Sequence, residues 1–165
     1  MNKALQKKLA LMAKKDQDMR RGGKWNSSID KKNTQELKKI IERFGWPTIS
    51  LVGKRGASDA WLIAQHADLD KKFQRLCLKL ITEASRKKEA IAKDLAFLTD
   101  RVRVHQAKKQ VYGTQFYRTK NKRFVNRPIY KKGDLNRRRK SVGLEPFEKY
   151  KKLMIKMGNK LKRNK

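Results

Sequence analysis

Cysteine is nearly absent from this chain of 165 residues, and the one thiol, Cys77, excludes an internal disulfide and any zinc site built from cysteines. Long apolar runs are missing too. No stretch approaches the roughly 18 apolar residues of a membrane span. Lys3, Lys7 and Lys8 interrupt the apolar residues near the start, so no signal-peptide core is present and the cytoplasm is the expected location. Several catalytic signatures are also lacking. Gly53 and Gly56 flank Lys54 and Arg55 without the G-x-x-x-x-G-K-[ST] order of a nucleotide-binding loop. Neither a G-x-S-x-G elbow nor an H-E-x-x-H helix occurs, and the sequence implies no metal and no cofactor.

Negative charge is scarce as well: 15 Asp and Glu stand against 46 Lys and Arg, a formal net charge of +31. A folded body with that excess repels itself and is relieved by a polyanion whose condensed counterions it releases. RNA or DNA is therefore the first expected partner. An anionic membrane surface ranks below it, because no helix combines a broad apolar face with aromatic anchors. A coding bias toward lysine, which outnumbers arginine about two to one, is the competing explanation of the charge.

The apolar residues that are present recur in helical blocks, and a chain of this length fits one core. Leu5, Leu9, Met12 and Met19 share one face of a helix over about 3–20, ended by Gly22-Gly23. Asn33 and Glu36 read as a capping pair that opens a helix carrying Leu37, Ile40, Ile41 and Phe44. The stretch from 49 to 57 reads as a loop, and 58–67 as a short, largely buried helix. Phe73, Leu76, Cys77, Leu80, Ile81 and Ala84 give the cleanest amphipathic helix, Ile91, Leu95, Leu98 and Val102 the next, and this pair is the expected centre of the core. Beyond Gln106 the residues turn aromatic and β-prone, which indicates a small hairpin or ordered loop near 110–130. A brief basic helix follows, and Pro146 opens the last one. The expected fold is a mainly α, single-domain bundle of about six helices over 1–155, with a basic tail over 156–165 that frays.

Asp16-Gln17 with Arg20, Gly45-Trp46-Pro47, Gln65-His66-Ala67-Asp68, Asp100-Arg101-Val102, the run from Gln110 to Gln115, and Arg137-Arg138 stand in an order that resembles a family of small bacterial helical domains of unknown function. The resemblance spans about 9–150. It implies a helical domain with shared polar residues, and no activity or ligand.

Two groups of residues are candidates for chemistry. The first is a polar pocket of Asp16, Gln17, Arg20, Arg101, Gln110, Tyr112 and Gln115, able to take an anionic small ligand or a substrate. Within it His66 would be an acid or base near neutral pH, oriented by a carboxylate such as Asp100. Asp16 precedes Arg20 by four residues and interrupts an apolar stripe, so a buried pairing with Arg20 or Arg101 is expected. An ion pair stapling two helices explains Asp16 and Arg20 equally well, and a hydrogen-bonded core histidine explains His66. A glycine-bulged hairpin explains the run around Gly113. The second group is cationic: Lys120, Lys122, Arg123, Arg127, Lys131, Lys132, Arg137, Arg138, Arg139 and Lys140 surround Tyr117, Phe124 and Tyr130. Cations would meet phosphates while exposed rings stack on unpaired bases, unless the rings pack on the core and the cations are merely solvated.

Overall fold

The computed structural model describes residues 1–22, 25–121 and 123–163. The first apolar stripe forms α1 (Lys3–Arg21), which opens where the Asn2 side chain accepts a hydrogen bond from the Leu5 amide at 3.0 Å. Its buried face holds Leu5, Leu9, Met12, Ala13 and Asp16. Gly22 caps the helix, while Gly23 lies outside the described residues.

The second helix, α2 (Ser27–Phe44), begins earlier than Asn33 and Glu36 indicate. Asn26 is the cap, its side chain accepting from the Ser28 amide at 2.9 Å, and Asp30 in the first turn suits the positive end of the helix dipole. Asn33 is instead buried inside the helix, where its amide donates to the Met12 carbonyl at 3.4 Å. Glu36 accepts from Lys8 of α1 at 2.7 Å and from Lys39 at 3.0 Å. The spacing mimics a capping box, but both side chains have tertiary or same-helix partners.

The segment from 49 to 57, expected as a loop, belongs to α3 (Ile49–Gln65). Thr48 caps it through the Leu51 amide. Gly53 breaks it into two helical pieces, with φ 73° and ψ 166°, a conformation open to glycine alone at low cost. Two glycines in nine residues suggested a loop, whereas one kink suffices. Next come α4 (Lys71–Arg86), capped by Asp70 through the Phe73 amide at 2.9 Å, and α5 (Ala92–His105).

The chain falls into two compact units, Met1–Leu98 and Thr99–Lys165, which divide within α5. In the first unit the most extensive helix pairing is α1 on α3, where the buried alanines 57, 60 and 64 let the backbones approach. Phe73, Cys77 and Ile81 of α4 complete the apolar interior. Burial pushes the Cys77 thiol up to about 12, as packing predicts for a sulfur with no base to activate it.

In the second unit β1 (Phe116–Arg118) pairs antiparallel with β2 (Phe124–Asn126), setting Tyr117 opposite Val125. A 3-10 turn over Lys132–Asp134 leads into α6 (Leu135–Ser141), and α7 (Phe147–Arg163) packs on β2. The last helix runs to Arg163, and the final two residues of the chain lie outside the described ones. Among the described residues there are seven α-helices and one hairpin, so the protein is mainly α, and no helix is long and apolar enough to cross a membrane.

Gly113 has φ +70°, and a Cβ there would stand 2.8 Å from the Phe147 ring. Gly113→Ala should therefore cost about 2–4 kcal/mol from strain and overpacking together. Gly133→Ala, where a Cβ meets nothing within 4 Å, should stay within about 0.5 kcal/mol by urea denaturation.

Candidate functional site

The polar side chains of the first unit converge on Asp16. Helical spacing places its carboxylate in the buried stripe of α1, with only 1% of the residue exposed, so every lone pair needs a donor. Gln17 donates to Oδ2 at 2.8 Å, and Arg20 approaches Oδ1 at 3.2 Å in the acid-first i,i+4 arrangement. The same Arg20 nitrogen donates to Asp30 of α2 at 2.7 Å, and the Trp25 indole donates to the other Asp30 oxygen at 2.8 Å. Ending α3, His66 brings its Nδ1 to 2.9 Å from both Asp16 oxygens. Three helices are thus tied together by two carboxylates, a guanidinium and an imidazole.

Arg20 Nε also lies 3.1 Å from His66 Nδ1, yet one ring nitrogen cannot donate to Asp16 and accept from Arg20 at the same time. The carboxylate decides the tautomer. Burial by itself would raise the Asp16 pKa, but the His66 hydrogen bond and charge, followed by Gln17 and Arg20, outweigh it and hold the group below its ordinary 3.8. An ionised Asp16 keeps a proton on Nδ1, so in the neutral form of the ring Nε2 is the basic nitrogen.

Asp100, expected to orient His66, has different partners. Its carboxylate accepts from the backbone amides of Val111, Tyr112 and Thr114 at 2.6, 3.0 and 2.9 Å, and from the Thr114 hydroxyl at 3.0 Å. Burial raises its pKa above the ordinary value against the pull of these donors. Asp16 takes the orienting role instead. Gln110 is equally committed: its side-chain amide donates to the carbonyls of Gln115 and Arg127, and its oxygen accepts from the Gln115 amide. The Gln115 side chain accepts from Arg101 at 3.2 Å and donates to the Thr114 hydroxyl at 3.0 Å. Tyr112 offers its backbone to Asp100 and to Arg139. Among the proposed pocket residues, Asp16, Gln17, Arg20 and His66 therefore gather in the first unit, while Arg101, Gln110, Tyr112 and Gln115 gather around Asp100 in the second.

A model of a protein family of unknown function, DUF6624, matches residues 4–162. The chain belongs to DUF6624. No curated protein and no solved structure matches it.

The cationic stretch of this DUF6624 chain divides by environment. Arg138 and Arg139, read from the sequence as phosphate contacts, are corrected by their surroundings. Arg138 donates to the carbonyls of Val111, Tyr130 and Lys131. Arg139 is fully buried, donates to the carbonyls of Glu145 and Tyr112, and lies 4.9 Å from the Tyr150 ring centroid. The guanidinium serves here as a donor fork for carbonyls, with one buried Nη of Arg139 left unpaired, a role that charge counting does not reveal. Arg137 pairs with Asp134 at 3.0 Å. Lys120, Arg123, Arg127, Lys131, Lys132 and Lys140 are exposed and pair with no carboxylate among the described residues. Lys122 lies outside the described residues.

Trp25 and Asp30 belong to the cluster around Asp16 and were not singled out from the sequence. The signal available was an indole five residues before an acid in the first turn of a helix. The apolar groove between α2 and α4, floored by Ile41, Phe73 and Leu76, contains none of the proposed site residues.

Asp16→Asn removes one of the two anions that compensate Arg20 and should cost about 2 kcal/mol at neutral pH. Because the folded pKa is depressed, the stability lent by ionised Asp16 is complete above 3.8 and disappears as the pH falls through the lower folded value. Urea midpoints of the wild type and Asp16→Asn should therefore draw together below pH 3.8.

Proposed function

We propose that this protein binds nucleic acid, RNA or DNA, through phosphate contacts made chiefly by its second unit. The observation that carries the reading is the distribution of charge. Thr99–Lys165 holds 23 Lys and Arg against 4 Asp and Glu, a net +19, whereas Met1–Leu98 holds 23 against 11, a net +12. Within 116–141 the ratio reaches eleven to one, and the one acid, Asp134, is paired with Arg137. Six exposed cations in that stretch are available to a phosphate backbone. With about six phosphates neutralised, log affinity should fall against log salt with a slope of roughly −5 on duplex DNA. Fluorescence anisotropy between 50 and about 300 mM salt measures this, and a flat dependence or no binding at low salt refutes the reading.

A second reading, a small enzyme or ligand-binding domain, is favoured by His66 alone. Its Nδ1 is held by Asp16 within a network that meets the needs of both buried carboxylates, leaving Nε2 as the basic atom, an arrangement suited to proton transfer. Two-bond 15N–1H correlation spectra of the neutral ring should report the Nδ1–H tautomer. The Nε2–H form, with Nδ1 accepting from Arg20, would remove the base and this reading with it.

A further inference from the structure

The β-alternation of the hairpin sorts its side chains in a way that bears on which nucleic acid it takes. Phe116 and Arg118 point to one face together with Phe124 and Asn126, since paired residues share a side. That face belongs to α7. The Phe116 and Phe124 rings stack with centroids 5.6 Å apart, Phe116 meets Tyr150 edge-on at 5.8 Å, and Arg118 donates to the Gly158 carbonyl at 2.6 Å. The apolar anchoring of the hairpin is complete on this side.

The opposite face carries Tyr117 and Val125 as a cross-strand pair, and Arg127 follows in the same alternation. The Arg127 guanidinium carbon is 4.2 Å from the Tyr117 ring centroid, close enough to stack, and Tyr117 remains 36% exposed. Arg123, just ahead of the second strand, and Lys120 in the connecting turn are also exposed. Tyr130 repeats the pattern just beyond the hairpin: it is 44% exposed, with the Lys131 ammonium 5.5 Å from its ring centroid. Ring and cation therefore occur side by side twice in fifteen residues, on surface that the apolar core does not use.

A phosphate-only surface needs no exposed rings. Exposed aromatic area is retained at low cost where a flat apolar face will cover it, and a nucleobase is such a face. In a duplex the base faces are buried against each other and only edges and backbone are offered. An unpaired strand presents both the phosphates and the faces. We infer that the hairpin surface prefers single-stranded nucleic acid, with unpaired bases stacking on Tyr117 and Tyr130 while Arg123, Arg127, Lys131 and Lys120 take the phosphates. This rests on the phosphate-binding reading above and adds strandedness to it.

The test uses the full chain with fluorescein-labelled 20-mers: oligouridine, oligothymidine and a duplex of the same length, at fixed salt. Both single strands should bind more tightly than the duplex, and the two together separate a demand for ribose from a demand for unpaired bases. Tyr117→Ala should weaken single-strand binding about tenfold, with duplex affinity and the salt slope unchanged. Tyr117→Phe should restore it. Tyr130→Ala, outside the paired strands, gives the same readout should Tyr117→Ala unfold by circular dichroism. Equal affinity for duplex and single strands, or tyrosine variants that bind like wild type, overturns the inference and leaves phosphate binding standing. No binding to any of the three at low salt overturns both.

Discussion

Buried aspartates hold this structure together. In a chain with three times as many cations as anions, Asp16, Asp30, Asp59, Asp94 and Asp100 all lie inside. Each buried carboxylate would be costly alone, and Asp16, Asp94 and Asp100 gather donors from segments distant in sequence, whereas Asp59 is met by Arg55 of its own helix. Asp16 and Asp30 between them collect Arg20, His66, Gln17 and Trp25, and Asp94 accepts from the Ser58 hydroxyl across to α3. Asp100 draws the amides of Val111, Tyr112 and Thr114 around itself and so shapes the entrance to the hairpin. The scarce anions are consumed as organising centres, and the outer surface is left more one-sided in charge than composition alone states.

The cations show the complementary division of labour. Arg138 and Arg139 donate to backbone carbonyls before and after α6 and to those of Val111 and Tyr112 in the loop ahead of the hairpin. Among the described residues no lysine is used this way, in keeping with the fixed, planar donor fork of the guanidinium. Between Tyr117 and Lys132, lysine and arginine stay exposed beside tyrosine.

Much of this was legible in the sequence because it depends on periodicity. The stripe through Leu5, Leu9 and Met12 fixed both α1 and the inward position of Asp16, and the four-residue step to Arg20 announced their pairing. The apolar row from Phe73 to Ala84 gave α4 directly, and the aromatic clusters on either side of Thr119 gave the hairpin. Local signals misled where two structures share one local pattern. Asn33 and Glu36 have capping spacing but sit inside a helix that Asn26 had already started, and Gly53 marks a kink where two glycines suggested a loop. Tertiary partners were out of reach: His66 meets Asp16 across fifty residues, and no spacing rule ranks Asp16 above Asp100 for that role. Arg139 was misplaced because a guanidinium reads as surface until the carbonyls it serves are known.

The packing of Cys77 reaches beyond the stability of α4. A thiol that ionises only near 12 and sits wholly within the first unit is unreactive toward alkylating reagents at neutral pH, since the thiolate is the nucleophile. The chain therefore supplies its own silent background for chemical labelling. A cysteine introduced at an exposed position of the hairpin would carry a spin label or fluorophore alone, without first stripping the native sulfur from the core.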